Sequence, residues 1–352
     1  MNKAVWIVLL FFLFLSPLFS KESYEFKRIE QWKHKTVTGS DFYSFINPQN
    51  QLVMFFRLIG HKLISANKIV DFAPRGFGPD EMEFFYTVFD YRGDLAALER
   101  PNKIKIYSLK DGTYHWKKSL WLKRTPTFHR VKDGIFYQNK FFFTGMEGIV
   151  DHPEKSLSNC DRYSFLKIYD EQGNSLKQLI QKKELKPTFI MDMKFHVVGY
   201  HSDRVFFMAE NELILHVIST TSLEEIKVIP LEIPSFYKKM PPNFYAPAKK
   251  GGSTMTQIDL ENWDMGYSSI QEVAVDGKYV VVSIRTANTK MKKFALLFYN
   301  ADTYKLENTI FSDDYLLDIK DGKYYCFANG NPSLDDNTDD CIINIYSFRK
   351  KK

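Results

Sequence analysis

The residues of this sequence best suited to chemistry are a carboxylate and two imidazoles close together in its middle. Asp192, His196 and His201 could bind a divalent metal or transfer protons, because carboxylate and imidazole groups serve both purposes. Their spacing matches no established metal motif, and His196 falls in a strand-like run while His201 falls at a turn. The pattern therefore favours ordinary sheet residues, with a metal site at Asp192 and His196 as the alternative.

An acidic stretch near the end of the chain is a second place for a metal. Asp335, Asn337 and Asp339 carry side-chain oxygens at alternate positions, as in the first half of a calcium loop. The glycine of such loops is absent, and Tyr346 stands where the bidentate glutamate would fall. We therefore expect a solvated acidic turn and no cofactor, with calcium or another divalent metal as the alternative.

A repeated unit organises the chain and carries these residues. Each copy has a turn, an apolar strand and a further strand that mostly ends in an aromatic residue. The five turns lie at Arg92-Gly93, Asp133-Gly134, Ser202-Asp203, Asp276-Gly277 and Asp321-Gly322. The strands that follow end at Tyr107, Tyr169, Ile218, Tyr299 and Tyr346. Regular repetition of a hairpin unit indicates a radially repeated β-fold.

These repeats predict an all-β fold, a six-bladed β-propeller of four-stranded antiparallel blades. The sixth copy is a degenerate one at the front, at Asn47–Phe56, and we expect Tyr24–Val37 to pair with the last blade and close the ring. Insertions are expected near residues 145–161, 230–264 and 329–340. Long segments of this kind are functional or disordered, and the pattern leaves both interpretations open.

The N-terminal residues have the pattern of an export signal. Lys3 precedes an apolar run from Ala4 to Leu15, and Ser20 supplies a small residue for cleavage. We therefore expect residues 1–20 to be a signal peptide and residues 21–352 to be one propeller domain. The mature protein is expected to be monomeric, periplasmic or secreted, without a membrane span. Leu18, a large residue before the cleavage position, leaves an uncleaved N-terminal anchor as the alternative.

Charge and cysteine usage add two further expectations. The net charge of +6 is partly local to the C-terminal Arg349–Lys352, and no basic face interleaved with aromatics is present, so we expect no nucleic-acid partner. Cys326 ends one strand-like run and Cys341 opens another. If the two strands are antiparallel neighbours, a disulfide would close the loop between them, and export permits it. The alternative is two separate buried thiols.

One segment carries a family resemblance. The run Gly76-Phe77-Gly78-Pro79-Asp80-Glu81-Met82 resembles the Gly-x-Gly-Pro-Gly-Glu-Phe signature of secreted bacterial six-bladed β-propeller proteins, which are similar to NHL-repeat propellers. Asp80 replaces the third glycine of that signature, and Met82 replaces its phenylalanine. The resemblance implies architecture and export rather than a reaction.

The same segment has two physical interpretations. In the favoured one, Glu81 braces the loop by accepting backbone N–H bonds. In the other, Arg75, Asp80 and Glu81 contact a ligand at the mouth of the channel. No Gly-x-Ser-x-Gly, His-Glu-x-x-His, phosphate-loop or dinucleotide motif is present.

Taken together, these features predict a non-catalytic exported binding or scaffold module for a peptide, glycan or protein partner. Phe244, Tyr245 and Trp263 would be its aromatic anchors. The alternative is a propeller hydrolase or lyase with a metal or carboxylate site in the central channel. Propellers host both functions, so the fold does not decide between them.

Overall fold

The computed structural model describes residues 24–35, 42–56, 60–74, 76, 78, 81–82, 85–99, 102–123, 130–149, 161–184, 195–201, 203–209, 212–239, 265–287, 293–328 and 340–350. These residues form strands and turns, and they contain no helix. In particular, nothing in these ranges could cross a membrane as an apolar helix.

The described strands form six sheets of four antiparallel strands, which confirms the predicted six-bladed propeller. Strand β1 is Tyr24–Lys35. Blade 1 contains β2 (Phe42–Ile46), β3 (Leu52–Phe56), β4 (Gly60–Ser65) and β5 (Lys68–Phe72). Blade 2 contains β6 (Phe85–Tyr91), β7 (Asp94–Glu99), β8 (Lys103–Lys110) and β9 (Thr113–Trp121). Blade 3 contains β10 (Arg130–Tyr137), β11 (Lys140–Ile149), β12 (Asp161–Asp170) and β13 (Ser175–Glu184).

The second half of the ring follows the same plan. Blade 4 contains β14 (Phe195–Tyr200), β15 (Arg204–Ala209), β16 (Ile214–Ser219) and β17 (Glu225–Pro230). Blade 5 contains β18 (Ser269–Asp276), β19 (Tyr279–Arg285), β20 (Phe294–Asn300) and β21 (Leu306–Ser312). Blade 6 contains β22 (Tyr315–Lys320), β23 (Lys323–Phe327) and β24 (Asp340–Lys350), and β1 is its fourth strand.

The ring is closed by pairing the two ends of the chain. Strand β1 runs antiparallel to β24, from Tyr24 opposite Lys350 to Lys35 opposite Asp340. This confirms the predicted role of the segment that begins at Tyr24. The pairing covers the outer edge of β24 and ties the two ends of the chain into one blade, with β1 as its outer strand.

The core lies between neighbouring blades. Each blade is covered on both faces by its neighbours, so its inner strands are apolar at successive positions rather than at alternate ones. All seven residues of β19 are buried, for example. Aromatic rings join one blade to the next, as where Phe89 of blade 2 lies with its ring centroid 5.6 Å from that of Phe143 in blade 3.

The predicted turn at Asp133-Gly134 is wrong. Strand β10 continues through both residues, with a β-bulge between Val131 and Asp133. The reversal comes later, at Gln138 and Asn139, which have φ of 49° and 58°. The Asp133 carboxylate accepts hydrogen bonds from the backbone N–H groups of Gly134 and Val197. These bonds allow an Asp-Gly pair to remain in the first strand of the blade.

The predicted disulfide between Cys326 and Cys341 is also wrong. Both cysteines are free and buried. Cys326 pairs with Asn344, so Cys341 is an odd number of residues away and lies on the other face of the sheet. Cys326 packs towards blade 5 and Cys341 towards blade 1. Burial raises the pKa of the Cys341 thiol to about 12 and that of Cys326 well above its usual value.

Antiparallel pairing gives the propeller two different faces. The inter-blade face, as we call it, is the end of the blades at which first strands begin and fourth strands finish. The strand ends that flank residues 150–160, 240–264 and 329–339 all belong to this face. The opposite end carries the turns between first and second strands, such as Gly93 and Gly277, and we call it the turn face.

Candidate functional site

The Gly76–Met82 loop, on the inter-blade face, is braced by its own glutamate. Glu81 Oε2 accepts a hydrogen bond of 2.7 Å from the backbone N–H of Gly78. Met82 donates its N–H to Pro74 O at 3.0 Å, and Gly76 donates its N–H to Met82 O at 3.1 Å. A Cβ at Gly76 would overlap the Glu81 carboxylate, so a side chain there would displace the brace. These contacts support the bracing role of Glu81.

A buried lysine from blade 2 holds the same loop. Lys105 Nζ donates to Gly78 O at 2.9 Å and to Glu81 O at 2.5 Å. It also lies 3.4 Å from Glu99 Oε1, and both side chains are nearly inaccessible to solvent. The Tyr107 hydroxyl donates to Glu81 O at 3.1 Å. The loop is therefore fixed to the third strand of the following blade.

The tyrosine that ends the repeated strand has the same task in three blades. In blade 2, Tyr107 bonds to the segment that enters its blade. In blade 5, the Tyr299 hydroxyl donates to Glu232 O at 2.7 Å, and in blade 6 the Tyr346 hydroxyl donates to Asp314 Oδ2 at 2.5 Å. Burial raises the pKa of both Tyr299 and Tyr346, so these hydroxyls stay protonated donors. The aromatic of the sequence repeat thus anchors inter-blade segments.

Tyr299→Phe is expected to destabilise the protein by about 1 kcal/mol, because one hydrogen bond is lost while the ring stays in place. Chemical denaturation measures the effect as a lower midpoint at an unchanged slope. Hydrogen exchange should rise in residues 231–239 and stay unchanged in residues 74–82, which Tyr107 anchors. If the variant increased hydrogen exchange equally in both segments, the role of Tyr299 as a local anchor would be contradicted.

In four blades, the first strand carries a polar side chain at the same position of the repeat. Each lies four residues before the last residue of its strand, and the four are Thr87, Asp133, His196 and Glu272. Their partners in the second strands are Leu98, Thr144, Met208 and Ser283. In blades 2, 3 and 5 a β-bulge immediately precedes this position. Bulges redirect side chains, so in three of these four blades the backbone itself sets the direction of the polar side chain at this position.

His196 meets a residue that sequence reasoning missed. Its Nδ1 atom lies 3.8 Å from Glu272 Oε1 of the next blade. His201 is at the opposite end of β14, in the turn, so the structure does not join it to His196. Asp192 lies outside the described residues. The shared position within the repeat is the signal that would have found Glu272.

Two other carboxylates on first strands accept hydrogen bonds from backbone N–H groups. Asp133 accepts N–H bonds from Val197 at 2.9 Å and from Gly134 at 2.7 Å. Asp318 accepts from Ile46 and Ile319, both at 2.7 Å. Each carboxylate therefore joins its blade to the next one. Burial raises the pKa of Asp133 to about 7 and that of Asp318 to about 6.

Several predicted site residues lie outside the described residues. These are the ligand candidates Arg75, Asp80, Phe244, Tyr245 and Trp263, and the metal candidates Asp335, Asn337 and Asp339. Across the part of the chain that the structure describes, His, Cys, Asp and Glu side chains form no group of three or more that could hold a metal.

Among known proteins, this one is similar in fold to several solved structures. No family model and no curated protein matches the sequence. Among solved structures, a DUF4221-family member from Bacteroides vulgatus ATCC 8482 is similar with a TM-score of 0.59 and 10% identity, over 94% of this chain and 100% of that one. A protein of Bacteroides fragilis NCTC 9343, provisionally assigned as exported, has a TM-score of 0.54 and 13% identity, over 94% and 95%. At these identities the likeness concerns the fold alone.

Proposed function

We propose that this protein is a non-catalytic exported binding or scaffold module whose peptide, glycan or protein partner binds on the inter-blade face. The observation that carries the proposal is the anchoring of inter-blade segments to the blades. Lys105 and Tyr107 hold one segment, Tyr299 a second and Tyr346 a third. Segments fixed in this way lose little conformational entropy on binding, which favours affinity.

The distribution of long connections supports the same face. The strand ends that flank the three insertions belong to it, and binding residues concentrate on loops held by a rigid scaffold. Within this proposal, Phe244, Tyr245 and Trp263 are the aromatic anchors, since buried aromatics dominate binding energy. In the sequence, Arg75 precedes the braced loop and Asp80 belongs to it, and within this proposal both contribute polar contacts.

Export is part of the proposal. Residues 1–20 act as the signal peptide, and residues 21–352 form the mature monomer. The provisional export of the similar Bacteroides fragilis protein supports this, as does the apolar run from Ala4 to Leu15. In a metal-independent binding module of this kind, thermal melts with and without EDTA should coincide.

The test is binding of the mature protein to peptide and glycan arrays, followed by titration of the best ligand. The triple variant Phe244→Ala, Tyr245→Ala and Trp263→Ala should lower affinity at least about tenfold, as expected for lost aromatic anchors. Leu176→Ala is the control, because Leu176 is an exposed apolar residue on an outer strand. Unchanged affinity in the triple variant would remove the inter-blade face from consideration.

A second candidate function, a hydrolase or lyase acting in the channel, has one observation in its favour. His196 and Glu272 place an imidazole and a carboxylate 3.8 Å apart on neighbouring inner strands. Such a pair could transfer a proton. Screening ester, glycoside, phosphoester and uronate substrates, with and without added divalent metals, tests it. Turnover that Glu272→Gln abolishes without lowering Tm would establish this candidate, and absence of turnover would reject it.

A further inference from the structure

Two large indoles are exposed on the outer strand of blade 2. Trp121 is 56% exposed and Trp116 is 41% exposed. They are five residues apart, a spacing that would place them on opposite faces of a regular strand. Here a β-bulge adds one residue, because Trp116 pairs with Tyr107 while Lys118 pairs with Ile106. The bulge brings both indoles to one face of the sheet.

The two indoles lie along one line with polar groups between them. Trp116 and Trp121 pair with Tyr107 and Lys103, so about four strand steps, or ~13 Å, separate them. Ser119 is on the same face and accepts a hydrogen bond of 3.2 Å from Trp116 Nε1. The Lys103 ammonium lies 5.9 Å from the centroid of the Trp121 ring. Flat apolar surfaces therefore alternate with a hydroxyl and a cation.

This surface, which we call the tryptophan platform (Lys103, Trp116, Ser119 and Trp121), is held rigidly. Tyr114, on the same face of β9, is buried against Phe72 of blade 1, with ring centroids 5.1 Å apart. On the paired strand β8, Lys105 and Tyr107 are fixed to the braced loop. The indoles are thus presented on a rigid sheet and do not need a mobile loop to position them.

The form of the platform fits a sugar chain better than a peptide strand. An extended peptide would add to the free edge of β9, but the bulge interrupts the ladder there, and Lys117 and Lys118 add the charge that protects edges. Pyranose rings have a flat C–H face that stacks on an indole, with hydroxyls at the rim for polar partners. A length of ~13 Å corresponds to an oligosaccharide rather than to one sugar.

Charge narrows the class of sugar. The Lys103 ammonium lies over the Trp121 ring, 5.9 Å from its centroid, where the carboxylate of a sugar bound along the platform could reach it. We propose that the tryptophan platform binds an acidic, uronate-containing oligosaccharide that lies along β9. This site is separate from the one in the proposed function, because it lies on the outer edge of blade 2 and uses none of the aromatic anchors at residues 244, 245 and 263.

Calorimetric titration of the mature protein with oligogalacturonate tests the proposal, with cello-oligosaccharide of equal length as the neutral probe. We expect the uronate to bind at least about tenfold more tightly, as for one added charge-assisted contact. Trp116→Ala and Trp121→Ala should each weaken binding at least about fivefold, and the Phe variants should restore part of it. Lys103→Met should abolish the preference for the uronate over the neutral probe.

Both tryptophans are exposed, so the variants should retain the wild-type Tm, and Leu176→Ala on the outer strand of blade 3 is the matched control. Three results would overturn the proposal. These are absence of uronate binding, equal binding of both probes, and wild-type affinity in the double variant Trp116→Ala/Trp121→Ala. Loss of an array peptide, rather than of a sugar, in that double variant would assign the surface to a peptide instead. The triple variant at residues 244, 245 and 263 should leave uronate binding unchanged, whatever its effect on the inter-blade ligand.

Discussion

Lys105→Met is expected to lower the free energy of unfolding by about 3–5 kcal/mol, because breaking a buried ion pair leaves a charge without compensation. Lys105 Nζ is 3.4 Å from Glu99 Oε1, and their side chains are 2% and 6% exposed. The ammonium also serves the carbonyls of Gly78 and Glu81. Methionine keeps most of the length of the side chain but removes all three contacts. Urea denaturation at neutral pH measures the loss.

Two further variants separate the charge from the packing. Lys62→Met is the control, because Lys62 occupies the third strand of blade 1 but pairs with the 79% exposed Asp71. An ion pair with one partner this exposed to solvent contributes at most about 1 kcal/mol, although the Lys62 side chain itself is only 16% exposed. The double variant Lys105→Met/Glu99→Met should recover part of the loss, since both buried charges are then absent. A single variant as stable as wild type would show that the ammonium does not hold the loop.

The same change should loosen the inter-blade face locally. Without Lys105, the loop keeps the Glu81 brace and the Tyr107 hydroxyl but loses its charged donor. Hydrogen exchange at residues 76–82 should therefore increase more than at residues 231–239, which belong to another blade. In the proposed function, such loosening would reduce affinity through the entropy of ordering the loop again.

Much of the fold could be predicted because its signals are local. The turns between first and second strands contain glycines with positive φ, as at Gly93, Gly277 and Gly322. Such turn residues can be recognised in the sequence alone. The strand that ends in tyrosine in most of the repeats could also be found, because its apolar run and its aromatic residue are local features of the sequence. The turn predicted at Asp133-Gly134 was wrong because the Asp133 carboxylate accepts a hydrogen bond from the backbone of the next blade. Nothing in the neighbouring sequence indicates that contact.

The candidate sites were less predictable because their partners come from other blades or depend on register. Lys105 bonds to carbonyl groups, which every residue possesses, so nothing in the sequence marks its partners. Trp116 and Trp121 share a face only through the bulge between them. Cys326 and Cys341 are on neighbouring strands, as expected, but the pairing of Cys326 with Asn344 puts the two thiols on opposite faces. For the two tryptophans and for the two cysteines, a shift of one residue in strand register would reverse the outcome.

Asp133 is expected to make the protein less stable as the pH rises. Burial raises the pKa of its carboxyl from 3.8 to about 7, although the N–H groups of Val197 and Gly134 favour the ionised form. The folded protein therefore binds this proton more tightly than the unfolded chain does. The contribution to the free energy of unfolding is complete below pH ~4 and is lost as the pH rises through ~7. Calorimetric Tm values between pH ~5 and ~8 should show the decline.

Asp133→Asn should flatten this decline, because an amide does not titrate and still accepts one of the two N–H bonds. Asp133→Ala leaves both donors, on Val197 and Gly134, without their partner and should cost about 2–4 kcal/mol. The control is Asp71→Asn, which alters an exposed carboxylate and should change stability by less than about 1 kcal/mol. Asp318→Asn should act in the same direction as Asp133→Asn but at lower pH, since the pKa of Asp318 is about 6. An unchanged pH profile in Asp133→Asn would mean that the carboxyl joins the two blades in its ionised form, with the two N–H bonds outweighing its burial.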